Sequence, residues 1–431
     1  MSKKGYKLVP WLFGKEIEIP EEWNIKKIKD ITKVSVGLVI NPSTYFDDDG
    51  MVPMITGKNV TENGIVLDNV DFITEKSNKL LETTRIWSGD LVTMRVGYPG
   101  RTSVVKNEHD GINCASVIIT RRSKKFVSEF LGYLANSKLM SKQIIMHQAG
   151  GAQQVVNIGS WKEFLIPFPS INEQQQIASI LSNIDSLIES TSKIIKNSKS
   201  LKTGLMQKLL TRGISHTKFK KVPWLFGKEI EIPEDWEIKM LDDVGNLSAG
   251  GTPSRFNLEY WNNGTIPWLS SGEIRNNIIT ESDEKITSLG LKESASRLFP
   301  KGTVLIAITG QGLTRGRTAL LSIDASSNQS VIGIICKKDV IYNLFLWYYL
   351  QNEYWKLRSI SQGSNQAGLN LNLLKTYQII LPSIHEQQKI ATILSNIDAQ
   401  INSQTQYKDK LERLKKSLMQ KLLTGEVRVA I

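Results

Sequence analysis

One block of fifteen residues occurs twice in this chain. Residues 9–23 read VPWLFGKEIEIPEEW and residues 222–236 read VPWLFGKEIEIPEDW, so Pro10 recurs as Pro223, 213 positions later. Two further blocks keep the same offset. PSINEQQQIASILSNID at 169–185 matches PSIHEQQKIATILSNID at 382–398, and LMQKLLT at 205–211 recurs at 418–424. Three blocks with one offset mean that a whole unit is duplicated, so the fold must be two copies of one plan. Between the blocks only a skeleton persists. Gly89-Asp90-Leu91-Val92 aligns with Gly302-Thr303-Val304-Leu305, Gly100-Arg101-Thr102 resembles Gly316-Arg317-Thr318 after a small insertion, and Asn157-Ile158 aligns with Asn370-Leu371. Near-identical blocks therefore frame two dissimilar variable regions, about 24–168 and 237–381. A constant scaffold with a changing insert suggests two binding modules with different targets. The plainer alternative is a duplicated structural domain whose second copy drifted.

The later shared blocks have helical periodicity. Ile177, Ile180, Leu181, Ile184, Leu187, Ile188, Ile194, Ile195, Leu201, Leu205 and Leu209 recur at three- and four-residue steps. Asn172 is a plausible N-cap and Gly213 a plausible stop. The second copy repeats the stripe from Ile390 to Leu422 and stops near Gly425. Each helix of about 40 residues would be roughly 60 Å long. No ordinary core needs two such rods, so they are expected to pair with each other, antiparallel, about a pseudo-two-fold. Thr191, Ser198 and Gln404 interrupt the stripe and could face a partner subunit.

The variable regions read differently. Short β-branched runs alternate with turn residues at Val52–Thr56, Leu91–Val96, Ser116–Thr120, Val304–Thr309 and Ser330–Cys336, with helices expected near 128–143 and 340–357. The fold class is therefore α+β: two α/β domains with mainly β-rich cores, joined by two long antiparallel helices in a pseudo-two-fold tandem repeat.

The net charge of +12 favours a polyanionic partner, since each Lys or Arg placed on a phosphate releases a counterion. The loops carry the side chains that such a partner needs. In the first copy they are Lys58, Asn59, Arg95, Tyr98, Arg101, Gln153 and Gln154. In the second they are Ser254, Arg255, Trp268, Ser270, Ser271, Arg275, Gln311, Arg315, Arg317, Asn365 and Gln366. Arginine reads guanine and Asn or Gln reads adenine by paired hydrogen bonds, while other cations hold phosphates. For any single residue the bland reading is a solvated loop.

Catalytic and metal signatures are missing. No Gly-x4-Gly-Lys-Ser/Thr loop occurs; Gly57-Lys58-Asn59 lacks its first glycine and its hydroxyl, and Gly310-Gln311-Gly312 reads as a turn. No Asn-Pro-Pro-Tyr or Asp-Pro-Pro-Tyr segment is present, as a common amino-methyltransferase would need. Glu237-Ile238-Lys239 resembles the Glu-x-Lys of some nucleases, but its counterpart Asn24-Ile25-Lys26 lacks the carboxylate. The four histidines are scattered, and Cys114 and Cys336 have no metal-ligand spacing, as expected of core thiols in a reducing compartment. Neither a signal-peptide pattern nor an apolar run of membrane-spanning length is seen, so a cytoplasmic protein is expected.

The Pro-Glu-x-Trp opening of each half, the Gly-Asp/Thr-hydrophobic strand, and Pro-Ser-Ile-x-Glu-Gln-Gln-x-Ile followed by Ile-Asp resemble the specificity subunit of type I restriction–modification systems. The resemblance covers nearly the whole chain in both copies. It implies a first target recognition domain over 1–168, a central spacer helix over 169–213, a second recognition domain over 214–381 and a C-terminal spacer helix over 382–431. Each domain would read one half of a bipartite site in double-stranded DNA. The helices would set the unread spacer and bind two modification (methyltransferase) subunits, with contacts expected at Glu173, Gln174, Gln175, Glu386, Gln387 and Gln388. Restriction subunits can join such complexes. S-adenosylmethionine and ATP would belong to the partner subunits, with no cofactor and no catalytic residue in this chain. Gly250-Gly251-Thr252-Pro253, with Ser254 and Arg255, would form a recognition loop; the first copy departs from that pattern with Val36-Gly37-Leu38-Val39. Two other classes stay open on the residues alone: a coiled-coil scaffold without a DNA role, and a fused DNA methyltransferase with unrecognised motifs.

Overall fold

The computed structural model describes residues 3–148, 155–310, 312–360 and 369–429. The chain forms two compact units. One comprises Met1–Ser192 with Gln406–Ile431, and the other Lys193–Thr405.

Each unit is built on an antiparallel sheet with one strand order. In the first unit β1 (Val34–Val36), β2 (Leu91–Met94), β3 (Thr102–Val104) and β4 (Val117–Thr120) lie in the order β1-β4-β2-β3. These strands are short because turn residues bound each β-branched run. Helices α1 (Ser128–Ala135) and α2 (Lys138–Gln148) follow. The expected single helix over 128–143 is thus two. Leu165–Phe168 returns to pair antiparallel with Asn24–Lys27, tying the end of the variable region to its start. The 42-residue helix α3, Ile171–Arg212, begins directly afterwards.

The second unit repeats the plan with β5 (Gly245–Ala249), β6 (Val304–Ala307), β7 (Thr318–Leu321) and β8 (Val331–Cys336), in the matching order β5-β8-β6-β7. One extra strand, Asn277–Ile279, pairs parallel with β7. Helices α4 (Asn343–Asn352) and α5 (Tyr354–Ile360) replace the single helix expected over 340–357. The closing pair joins Gln378–Leu381 to Glu237–Met240, and helix α6, Ile384–Leu422, follows. The repeated VPWLFGKEIEIP block folds as a hairpin both times, Tyr6–Pro10 on Glu16–Pro20 and Phe219–Pro223 on Glu229–Pro233.

Both long helices enter both units, and within each unit they run antiparallel. In the first, Ile177 and Leu181 of α3 share a core with Leu422 at the far end of α6 and with Phe130 and Leu134 of α1. In the second, Leu209 and Leu210 at the end of α3 share a core with Ile390 and Leu394 near the start of α6 and with Phe345 and Leu346 of α4. The N-cap differs from expectation. Ser170 rather than Asn172 caps α3, its Oγ accepting from the Glu173 amide at 3.3 Å; Ser383 does the same for Glu386 at 3.3 Å. Gly213 takes a positive φ of 66° just past the end of α3, which suits glycine.

The Ile-Asp of each shared block has a structural task. Asp185 accepts from Tyr133 of α1 at 2.8 Å and pairs with Lys415 of α6 at 2.6 Å. In the second unit Asp398 accepts from Tyr348 of α4 at 2.7 Å and pairs with Lys202 of α3 at 2.7 Å. Burial, and then the bond to the carboxylate, hold both phenols protonated far above their usual range. One carboxylate thus fastens the domain helix to both long helices, once per unit.

Candidate nucleic-acid interface

The strand order decides where the variable loops emerge. β1 and β2 both run antiparallel to β4, with Val36 opposite Ile118 and Met94 opposite Val117. Their C-terminal ends therefore flank the start of β4, and the segments after them, 37–41 and 95–101, leave the same end of the sheet. The second unit does the same: Ala249 faces Ile332 and Ala307 faces Val331, so the segments that follow, 250–257 and 308–310 with 312–317, leave the same end of the sheet. Gly37 and Gly250 begin the first of these loops. A Cβ on them would lie 2.7 Å from the Cys114 carbonyl oxygen and 2.3 Å from that of Ser327, so only glycine lets the chain pass so close.

A third segment joins each cluster. The turn Gly57–Asn59 abuts the end of β2, where a Cβ on Gly57 would be 3.1 Å from Met94 Cγ. In the second unit Asn276 accepts from the Thr318 amide at 3.0 Å, which holds the turn bearing Ser270, Ser271 and Arg275 beside the β6–β7 loop. Lys58, Arg95, Tyr98 and Arg101 are thus brought together in one unit, and Arg255, Ser270, Ser271, Arg275, Arg315 and Arg317 in the other. Ser254 sits next to Arg255 in the loop after β5. Gln153, Gln154, Gln311, Asn365 and Gln366 lie outside the described residues.

The cations in these clusters are not equally available. Arg95 and Arg315, each in the loop between the second and third of these four strands in chain order, have a buried Nε without a hydrogen-bond partner among the described residues. Both loops are braced from behind: the Arg95 carbonyl accepts from the Val156 amide at 3.0 Å, and the Arg315 carbonyl from Arg358 Nη1 at 2.9 Å. Arg101 lies 4.2 Å over the ring of exposed Tyr98, and Lys58 pairs loosely with Asp71 at 3.5 Å. Arg255 is more committed. It holds both oxygens of Glu284, lies 3.6 Å over Trp261, and the shared hydrogen bonds raise its own pKa and lower that of Glu284. Arg275 spends Nε on the Gly272 carbonyl at 2.7 Å.

Several expected contact residues turn inward instead. Asn59 is buried, accepting from the Thr56 amide at 3.0 Å and donating to the Val66 carbonyl at 2.9 Å, so it builds its turn rather than facing a ligand. The Ser270 amide donates to Glu273 at 2.8 Å in the matching turn, and the Ser270 hydroxyl to the same oxygen at 3.2 Å. Trp268 is buried and donates to the Gly251 carbonyl at 3.0 Å. The partner contacts expected at the helix starts need the same correction. Glu173 is buried and receives Trp23 Nε1 at 2.8 Å and Arg428 Nε at 2.7 Å. Gln174 and Gln387 are wholly buried; Gln174 accepts from the Val127 amide and Gln387 from that of Tyr342, at 2.9 and 2.8 Å. Glu386 receives Trp236 Nε1 at 2.9 Å, His216 Nε2 at 2.9 Å and the Ile214 amide at 2.8 Å. The two motifs that open and close each variable region are thus halves of one internal joint. Gln175 and Gln388 alone of these six are exposed.

His216, Asp235 and Glu386 also form a compact group of metal-ligand types. The imidazole Nε2 faces Glu386 and Nδ1 faces Asp235 at 3.3 Å, so its two nitrogens serve different carboxylates. That is a hydrogen-bonded joint, since one imidazole cannot turn both nitrogens to a single ion.

Two β-rich modules thus each gather arginines and polar loops at one end of the sheet. The family model for the type I restriction modification DNA specificity domain matches the chain twice, over residues 20–198 and 233–413. The chain is 27% identical to the type I restriction enzyme MjaVIII specificity subunit of Methanocaldococcus jannaschii, spanning 96% of this chain and 95% of that one. It is 26% identical to the EcoR124I/EcoR124II specificity subunit of Escherichia coli over 58% of this chain and 59% of that one. The crystal structure of the S subunit from M. genitalium has the same fold, with a TM-score of 0.57, 15% identity and coverage of 93% of this chain and 96% of that chain. The chain belongs to the DNA specificity family of type I restriction–modification systems. It is a DNA-sequence specificity subunit, the non-catalytic recognition component of such a system. No described helix is long and apolar enough to cross a membrane.

Proposed function

We propose that each unit reads one half of a bipartite DNA site through the loop cluster at the end of its sheet. The carrying observation is that two dissimilar variable regions turn the same sheet end into a cluster of arginine-bearing loops. In the first unit Arg95, Arg101, Tyr98 and Lys58 are the contact residues. In the second they are Arg315, Arg317, Arg275, Ser254 and Ser271, with Arg255 shaping its loop. Arginine guanidinium groups on such loops suit guanine edges and phosphates. The recognition domains then correspond to 1–168 and 214–381, and the helices over 169–213 and 382–431 set the unread spacer.

The same helices dock the modification subunits, two per chain to match the internal repeat. The surface we assign to that task is the exposed apolar stripe. Leu187, Ile194 and Leu201 recur at seven-residue steps on α3, and Tyr407 and Leu414 do so on α6, all exposed. Gln175 and Gln388 add polar contacts. The methyl donor and ATP belong to the partner subunits.

Methylome sequencing of cells expressing the assembled complex tests this directly. Replacing residues 24–168 with another variable region should change one half-site and leave the other and the gap intact. Inserting one helical turn after Thr211 should lengthen the gap alone. If both half-sites change, or the gap does not, the modular reading is wrong.

A further inference from the structure

The loop after β5 is tightly built, yet its most prominent side chain has no contact to bury it. Thr252 Oγ1 donates to Gln329 at 2.6 Å, and Trp268 and Trp261 donate to the Gly251 and Ser254 carbonyls, each at 3.0 Å. Arg255 is pinned between Glu284 and the Trp261 ring. The next residue, Phe256, is 100% exposed. A ring left in water forgoes about 1.5–3 kcal/mol of burial. A single exposed apolar residue is ordinary, but the equivalent loop of the first unit repeats the pattern. There Leu38 turns into the core, while Val39 and Ile40 are 64% and 70% exposed. These two loops share almost no sequence beyond Gly37 and Gly250. Both emerge from the sheet end that carries the arginine loop of their own unit.

Resting on the recognition reading above, we propose that Phe256 in the second unit, and Val39 with Ile40 in the first, supply apolar base readout. They pack against the 5-methyl groups of thymines in their own half-sites. Arginines alone report only the acceptors on guanine. The thymine methyl is the one apolar feature of the major-groove code, and an exposed hydrophobe on a braced loop recognises it without a hydrogen bond. The bonds that hold Thr252, Ser254 and Arg255 then act as positioning contacts, fixing the backbone that carries Phe256 before DNA arrives so that less ordering entropy is lost on binding.

The test is a thymine-to-uracil scan of the methylated motif, read as binding by the complex assembled on the full chain. Uracil keeps the base pair and removes only the methyl. At one position or more in each half-site it should weaken binding about fourfold, the loss expected for one buried methyl group. Phe256→Ala should weaken binding to thymine DNA and erase the uracil effect in the second half-site only. Val39→Ala with Ile40→Ala should erase it in the first only. Both changes are at exposed positions and should leave the fold intact. A complex that separates its motif from random duplex but shows a flat scan overturns this assignment alone, as does a Phe256→Ala variant that keeps the uracil effect. A complex that does not separate the two overturns the recognition reading with it.

Discussion

The two units close the same internal joint with different partners. In the first, buried Glu173 is held by Arg428, an always-charged guanidinium that reaches it through two nitrogens and also meets Glu22 at 2.8 Å. In the second, Glu386 is held by His216 and by the Ile214 amide. The tryptophan donor is the same in both, Trp23 and Trp236. Identical motifs have therefore kept the carboxylate and the indole, while the third partner comes from whatever segment follows the long helix that ends in that unit. A carboxylate facing a fixed charge depends on that charge. One that also accepts from a backbone amide and an indole has neutral donors in reserve.

The loop clusters, by comparison, match at one point. Arg95 and Arg315 stand at equivalent places in the arginine loops of their units, so removing either should have the largest effect on function. Arg95→Ala should cut binding to DNA altered at no other point by about tenfold to hundredfold, and relax preference in the first half-site alone; Arg315→Ala should do so in the second. Gel-shift titration against half-site variants measures this. Equal loss of preference in both half-sites would break the one-unit, one-half-site assignment.

The joint itself ranks next. Glu173→Gln leaves the partly exposed Arg428 without its buried counter-charge and should cost about 2 kcal/mol of stability in urea denaturation, whereas Glu386→Gln should cost about 1 kcal/mol because neutral donors remain paired. Equal costs would mean that the cation is irrelevant to the joint. Asp185→Asn and Asp398→Asn probe features that the units share, and each should cost about 1 kcal/mol, since the Lys–Asp pairs are only partly buried. A marked inequality there would show that the two fastenings are not equivalent.

The smallest effect is expected from the thiols. Burial pushes Cys114 up to about 12, and burial raises Cys336 to about 12 as well. Both should stay protonated at pH 8 and react with a thiol reagent only slowly until the protein unfolds or the pH approaches that range. Rapid labelling of one cysteine in the native chain at pH 8 would mark that unit as the more open.

Much of this arrangement was legible in the residues, for identifiable reasons. The offset shared by Pro10 and Pro223, and the stripes from Ile177 and from Ile390, specify duplication and long helices, because repetition and a 3.6-residue period are properties of the chain itself. The strands at 91–94 and 304–307 followed from β-branched runs between turns. The roles of polar residues did not follow. Asn59, Trp268, Glu173, Gln174 and Gln387 look like surface chemistry in a linear reading, yet all five are buried. Whether an amide or carboxylate faces water or a neighbouring backbone group depends on contacts remote in sequence, such as the 255 positions between Glu173 and Arg428. Phe256 carried no signal at all, since an exposed and a buried phenylalanine have the same letter.

The sequence by itself determined that there are two copies, that each joins a β-rich module to a long helix, and that the chain carries an excess of positive charge. Those properties arise from local periodicity and composition, which survive without knowledge of the fold. Only the tertiary structure decided which loops share one end of a sheet, which arginines are tied to neighbouring groups and which glutamates are buried. Strand order and burial are set by long-range pairing, and the availability of a charged group is the difference between its donors and the partners that pairing brings to it.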